Sequence, residues 1–158
     1  MKCAIYYCKS WFRAKKRPTE IWTEEQARAA HAAKKFYTVV VGSPQSPSCF
    51  LEVNDKFIGV GFLDEQLRES LYYAFKEVEP RRLFLSMATY REFDGDSDIV
   101  ETGTTYIFDR DGTVKTTRQC LNPHSVEATE AAADVDGNYE SWPEFGEYED
   151  LIKVERSR

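Results

Sequence analysis

The feature that most constrains the fold is a series of three strand-like runs in the middle of the chain, joined by very short turns. The runs cover Arg82–Phe93, residues 99–109 and residues 113–120. They contain many β-branched and aromatic residues, which favour strands. The turns, residues 94–96 and 110–112, combine Asp with Gly, as is typical of tight hairpins. Connections this short leave no room for a crossover helix, so the sequence predicts an antiparallel meander.

Further strands are predicted on the N-terminal side of this meander. Residues 2–8 and residues 36–41 are β-branched or aromatic enough to form two of them. Residues 49–53 and 56–63 flank an Asn-Asp pair, which favours a tight turn. We expect these two runs to form a hairpin.

Helix signals occur at four places. Thr23 begins a capping box in front of an alanine-rich run that extends to Lys35. Asp64 is a candidate N-cap for a second helix. Four apolar residues follow it at helical spacing: Leu67, Leu71, Phe75 and Val78. Residues 125–133 are predicted to form a short helix, and another is expected around residues 147–152.

Together these elements predict a single domain over residues 1–158. Strands follow one another with few helical crossovers, which favours an α+β fold. We expect a mostly antiparallel sheet of about six strands with two or three helices packed on it. An acidic, aromatic segment covers the C-terminal end of this domain, from about residue 134 to residue 158.

The hydropathy profile and the cysteines indicate a protein of the cytoplasm. Apolar runs fall short of the roughly 20 residues that a membrane helix needs, and the N-terminus lacks the pattern of a signal peptide. The four cysteines include no Cys-x-x-Cys pair and have no spacing typical of a disulfide framework. We therefore expect ordinary buried or half-buried thiols at Cys3, Cys8, Cys49 and Cys120.

Residues that commonly form metal sites are scarce. His31 is expected to be solvated or half-packed on its helix, and His124 follows Cys120 at a spacing that supplies only two of the four ligands of a structural zinc site. The acidic turn at residues 94–98 does not fit a calcium loop. Its sixth and twelfth positions need Gly and Glu, and the sequence has Ile and Thr there.

Catalytic motifs are missing from the sequence as well. It contains no nucleophile elbow, no phosphate-binding loop and no dinucleotide-binding turn. The sequence therefore predicts a binding protein with no catalytic residues, no metal and no cofactor. An enzyme whose site is assembled from residues far apart in the chain stays open as a third interpretation.

Charge is distributed unevenly along the chain, whose formal net charge is −6. Residues 1–35 carry a net charge of +6, and residues 121–158 carry −7. Between residues 134 and 150, carboxylates alternate with aromatic side chains. Such a surface suits a basic protein partner, because aromatic residues supply binding energy while carboxylates steer the encounter.

The candidate partner-binding residues combine this segment with the acidic turn: Asp94, Asp96, Asp98, Trp142, Glu144, Glu147, Tyr148, Glu149 and Asp150. A simpler interpretation is that the aromatic residues pack over the core and leave the carboxylates in water. The two interpretations are compatible, since a segment packed in this way still presents its acids.

A second candidate surface lies near the N-terminus. Residues 9–17 interleave five cations with Trp11 and Phe12, a composition found in nucleic-acid-binding patches, where cations neutralise phosphates and aromatic rings stack on bases. The alternative is a solvated basic loop whose aromatic residues anchor it to the sheet. Because the rest of the chain is acidic, we expect nucleic acid to be the weaker hypothesis.

The chain also resembles a known group of proteins. Residues 49–54, 59–64, 82–85 and 143–148 resemble small α+β immunity proteins of bacterial polymorphic-toxin systems, of the contact-dependent inhibition or Rhs type. The resemblance implies an inhibitor that binds a toxin domain and blocks its active site or a nearby surface. Many such toxin domains are basic, so an acidic inhibitor would associate with them quickly.

Overall fold

The computed structural model describes residues 4–43, 45–121 and 123–154. Within these residues the chain forms an eleven-stranded antiparallel sheet, a separate two-stranded hairpin and one α-helix. The strands are β1 (Ile5–Cys8), β2 (Trp11–Phe12), β3 (Arg17–Pro18), β4 (Ile21–Trp22), β5 (Tyr37–Gly42), β6 (Pro47–Val53), β7 (Phe57–Leu63), β8 (Glu69–Glu79), β9 (Arg82–Phe93), β10 (Val100–Phe108), β11 (Thr113–Leu121), β12 (His124–Ala132) and β13 (Tyr139–Ser141). The helix, α1, covers Glu24–Ala32.

The large sheet follows the order of the chain over most of its width. Strands β5 to β12 lie side by side as a continuous meander, and the sheet extends beyond β5 through β1 to β4. Strand β13 returns to pair with the first three residues of β9, next to the place where β10 ends. Strands β2 and β3 form the separate hairpin. The meander predicted from the three central runs is confirmed.

One face of the sheet, the covered face, carries the main core. Side chains from neighbouring strands line up across it through the register, and each is at most 6% exposed. The central row is Tyr7, Val39, Leu51, Val60, Tyr73 and Ala88. Helix α1 packs on this face through Ala27 and Ala30.

The opposite face, the open face, has a smaller cluster. Val40, Phe50, Cys8 and Trp11 form it, and the β2–β3 hairpin supplies Trp11. Strand β5 is buried on both faces, which explains why its sequence is apolar without alternation.

The capping box that predicts α1 is confirmed. The Thr23 hydroxyl accepts a hydrogen bond from the Gln26 backbone N–H (3.1 Å), and the Gln26 side chain accepts one from the Thr23 N–H (2.8 Å). The helix ends at Ala32, before the predicted Lys35. Lys34 has a positive φ of 56°, a conformation that does not continue a helix.

The predicted α+β class is wrong, because the fold is mostly β, with one short α-helix and one 3₁₀ helix, Asp136–Asn138, in the described residues. The segment after Asp64 forms strand β8 instead of a second helix. Leu71 and Phe75 lie four positions apart, a spacing that places side chains on one face of a helix and equally on one face of a strand. Tyr73, midway between them, is buried on the same face, so the true period is two.

The other two predicted helices are also absent from the described residues. Residues 125–133 are rich in Ala and Glu, which favour helices, but pairing with β11 makes nearly all of them strand β12. Residues 147–152 form hydrogen-bonded turns, with the Leu151 N–H donating to the Tyr148 carbonyl. The sheet accordingly has eleven strands where about six were expected.

Among the described residues, no helix has the length and apolar character needed to cross a membrane.

Candidate functional site

After β13 the chain runs back over the covered face as a C-terminal segment, residues 142–154. Tyr148 and Leu151 are buried in the main core, at 3% and 1% exposure. Trp142 and Phe145 pack partly against the same core. The Trp142 N–H donates a hydrogen bond to the carbonyl of Arg81 in the β8–β9 turn (2.9 Å). The segment is therefore an integral part of the core.

A cluster of aromatic hydroxyls fixes this segment to the sheet and to α1. The hydroxyls of Tyr148 and Tyr37 are 2.9 Å apart, and Nδ1 of His31 is 2.8 Å from the Tyr37 hydroxyl. The Tyr7 ring stacks on Phe145, with centroids 5.1 Å apart. Burial raises the pKa of Tyr37 and of Tyr148, and burial lowers the pKa of His31. These groups stay neutral at pH 7, as a hydrogen-bonded core requires.

The carboxylates of the segment point outward while its aromatic residues point inward. Glu144, Glu147, Glu149 and Asp150 are all exposed. Glu144 forms an ion pair with Arg81 at 2.6 Å, in which both side chains are more than half exposed. Both interpretations of the acidic aromatic pattern thus describe parts of one arrangement: buried rings hold the backbone, and the acids face solvent.

The acidic turn lies elsewhere. It joins β9 to β10, whereas the C-terminal segment contacts the β8–β9 turn at the opposite end of β9. Strand β9 has 12 residues, so at about 3.3 Å per residue its two ends are about 36 Å apart. The predicted site residues therefore form two separate groups.

The acidic turn is also engaged within the molecule. Asp98 forms an ion pair with Lys16 at 2.8 Å, and Asp96 accepts a hydrogen bond from the Gln66 amide at 2.9 Å. The Asp94 carbonyl accepts a hydrogen bond from the Ser97 hydroxyl at 2.7 Å. Arg68 donates to two carbonyls of the same turn. These bonds fasten the turn to the β7–β8 connection and to the basic N-terminal segment.

The basic segment, residues 9–17, folds onto the open face. Trp11 is 4% exposed and stacks on Phe50, with centroids 5.6 Å apart. Arg13 forms an ion pair with Glu52 at 2.9 Å. The buried Trp11 indole is not available to stack on a base, and the pairing of Arg13 with Glu52 weakens its attraction to a phosphate. Phe12, the other aromatic residue of the segment, is 41% exposed. The arrangement matches an anchored basic loop.

The open face also carries a network of charged side chains. The sequence did not predict this network, because its residues form no recognisable motif. Arg13 bridges Glu52 and Glu69, and Arg91 contacts Glu69 at 3.2 Å. The Tyr72 hydroxyl donates to Glu52 at 2.9 Å. Burial raises the pKa of Tyr72, and the neighbouring Glu52 carboxylate raises it further.

A pocket of about 340 Å³ opens beside this network. Its apolar lining includes Trp11, Leu63, Leu67 and Phe93. Leu67 and Lys16, another lining residue, both have positive φ angles, of 59° and 53°, which are uncommon for residues other than Gly. The size falls at the lower end of small-molecule sites, about 300–1,000 Å³. Because its cations pair with carboxylates, the pocket presents a neutralised surface.

Two glycines of β7 make room for this arrangement. A Cβ added at Gly59 would lie 1.8 Å from the Tyr72 hydroxyl, and one added at Gly61 would lie 2.4 Å from the Phe50 ring. Strand positions 59 and 61 share a face, so a pair of glycines there indicates that larger side chains lie over them. This was the sequence signal available for the open-face network.

Replacing Gly61 with Ala is expected to lower the free energy of unfolding by about 1–3 kcal/mol, because the buried Phe50 ring must move. The matched control is Gly103→Ala in β10, where an added Cβ has no atom of the described structure within 4 Å. There we expect no loss, or a gain of about 0.5–1 kcal/mol from lower chain entropy. Urea denaturation of both variants measures the difference. Equal effects at the two glycines would contradict the packing described for Phe50.

The described cysteines and histidines lie in different parts of the fold. Cys8 and Cys49 are buried, and burial raises the pKa of Cys8 to about 11. Cys120 pairs in register with Ser125 and His124 pairs with Leu121, so the side chains of Cys120 and His124 point to opposite faces of the sheet. No group of three metal-ligating side chains occurs within the described ranges. Cys3 lies outside them.

In comparisons with family models, curated proteins and solved structures, the chain matched none of them.

Proposed function

We propose that this chain is an immunity-type inhibitor that binds a basic toxin domain in the cytoplasm through its C-terminal segment. The observation that supports this proposal best is the combination of exposed carboxylates and a buried, hydrogen-bonded backbone anchor in one short stretch. Glu144, Glu147, Glu149 and Asp150 are exposed, while Tyr148, in the middle of them, is 3% exposed and bonded to Tyr37.

An anchored acidic surface suits an inhibitor for two physical reasons. Its carboxylates attract a basic partner over long range, which raises the association rate. Because the backbone is already ordered, little conformational entropy is lost on binding, so more of the contact energy appears as affinity. Nanomolar binding needs about −12 kcal/mol. Carboxylates alone do not supply this binding free energy, so an apolar contact is also needed. The partly buried Trp142, at the margin of the surface, offers one.

The experiment co-expresses this chain with the C-terminal domain of the protein encoded immediately upstream of its gene. We expect that domain to arrest growth when expressed alone, and growth to recover when this chain is present, because binding blocks the toxin. A domain that is toxic but does not bind this chain, or a harmless neighbour, would contradict the proposal. An unrelated acidic protein of similar size serves as the control for nonspecific charge effects.

A further inference from the structure

The outermost strand of the sheet, β12, is exposed along its whole length. All nine of its residues are exposed, and its sheet neighbour in the described structure is β11. Ordering a strand costs conformational entropy, which burial of apolar side chains normally offsets. Strand β12 lacks that burial within the described residues, so a second neighbour on its free edge would stabilise it.

The free edge of β12 lacks most of the features that protect edge strands, although it carries two charged residues, Glu127 and Glu130. Such strands are typically short, interrupted by a bulge, or supplied with Lys or Pro. The sequence of β12 contains neither residue, and its register with β11 is unbroken from Thr113↔Ala132 to Leu121↔His124. Most of its side chains are small, which leaves the backbone accessible. By contrast, the strand at the other edge of the sheet, β4, has two residues.

Hydrogen bonds at the end of the strand show which backbone groups are free to pair. The Ala133 N–H donates to the Gly112 carbonyl (2.8 Å), and the Thr113 carbonyl accepts from the Asp109 N–H on the other side. Backbone groups alternate in direction along an antiparallel strand. The N–H and C=O groups of the even-numbered residues 124–132, including Ala128, therefore point to the free edge.

We propose that two copies of this chain associate by antiparallel pairing of β12 with β12, about a two-fold axis at Ala128. In this register Ala128 faces Ala128 of the second copy, and all nine residues of the strand take part. Val126 faces Glu130, and Glu127 faces Thr129. The interface is isologous, so it closes at two copies.

The charge pattern supports a second copy as the occupant. No carboxylate directly opposes another in this register, whereas an axis at Glu127 would place Glu127 against itself, which is unfavourable. Each carboxylate of β12 also has a cation beside it in β11. Arg118 pairs in register with Glu127, and Lys115 pairs with Glu130. A cation thus lies opposite each acid of the strand in the sheet, which reduces the repulsion between two such edges.

The test measures the mass of the protein in solution by light scattering at tens of micromolar. We expect twice the chain mass of 18.3 kDa. Ala128→Pro removes an N–H that points to the free edge and leaves the bonds to β11 in place, so this variant is expected to be monomeric. Ala128→Lys keeps the N–H but sets two cations opposite each other, and it should also be monomeric.

The matched control is Thr117→Lys. Thr117 pairs with Ala128 in register and is exposed on the same face, but one strand away from the edge. This variant should remain a dimer. Circular dichroism verifies the fold of each variant, and if Ala128→Pro does not fold, Ala128→Lys decides.

Several results would overturn the proposal. One is a wild-type mass of 18.3 kDa at every concentration. Another is a dimer that persists after both Ala128 substitutions, and a third is an assembly of more than two copies. If the wild-type protein is a monomer and binds an added extended peptide along β12, the edge pairs with a strand of another protein and not with a second copy. None of these outcomes depends on the identity of a toxin.

Discussion

Replacing Tyr148 with Ala is expected to lower the free energy of unfolding by about 3–5 kcal/mol, the range for removing a large buried aromatic side chain. The Tyr148 ring is 3% exposed in the main core, and its hydroxyl bonds to Tyr37. The substitution leaves a cavity and releases the anchor of the C-terminal segment. Urea denaturation followed by tryptophan fluorescence measures the loss.

Two milder variants separate packing from hydrogen bonding. Tyr148→Phe keeps the ring, and the Tyr37 hydroxyl retains its bond to His31, so we expect a loss of about 1 kcal/mol. Glu147→Gln, at the exposed residue before Tyr148, is expected to change stability by less than about 0.5 kcal/mol. If Tyr148→Ala cost no more than Glu147→Gln, the segment could not be part of the core.

The anchoring of the segment also bears on function. Carboxylates on a loose tail would sample many arrangements, and a partner would have to order them at an entropic cost. The buried rings remove most of that freedom before binding. Tyr148→Ala is therefore expected to weaken partner binding through loss of order, although Tyr148 itself is not accessible to a partner in this structure.

Local signals in the sequence predicted the strands with tight turns and the start of α1. The Asp-Gly turns define β9, β10 and β11 because turn chemistry acts over a few residues. The Thr23 capping box marks the start of α1 for the same reason. These features depend on neighbours in the chain, so one sequence is enough to find them.

Features that depend on pairing between residues far apart in the chain could not be predicted from such local signals. Strand β12 consists of residues that prefer helices, and its pairing with β11 overrides that preference. In β8, Leu71 and Phe75 satisfy both the helical and the strand period, and the aromatic residues Tyr72 and Tyr73 between them were the better guide. The missing helices thus have one physical cause, which is tertiary pairing.

The candidate site was predicted only in part. The alternation of acids with aromatic residues correctly identified a segment with buried rings and exposed carboxylates. Composition could not show that the Asp94 turn lies at the far end of β9, or that Lys16 already neutralises Asp98. The position of each charged residue in the sheet determines which charges lie close together, and that position depends on the whole topology.

Reversing the charge of the C-terminal segment is expected to weaken binding to the toxin domain at least about 100-fold, or about 2.7 kcal/mol. The variant replaces Glu144, Glu147, Glu149 and Asp150 with Lys, so attraction to a basic surface becomes repulsion. Its fold should persist, because these side chains are exposed and ion pairs at exposed positions, such as Glu144–Arg81, each contribute at most about 1 kcal/mol.

A matched control carries the same change of charge elsewhere. Asp55, Glu65, Glu92 and Glu101 are exposed carboxylates outside the C-terminal segment, and all four are replaced with Lys. This variant alters the net charge equally, so it reports the effect of overall charge. We expect its affinity to fall much less than that of the segment variant, because charges far from the contact are screened over about 8 Å at physiological salt.

The most direct measurement is the dissociation constant of the upstream-encoded domain with the wild-type chain and with both variants, by calorimetry at low and physiological salt. We expect tight wild-type binding that weakens with salt, near-wild-type binding by the control, and little or no binding by the segment variant. Equal affinities for the three proteins would contradict the assignment of the C-terminal segment as the binding surface.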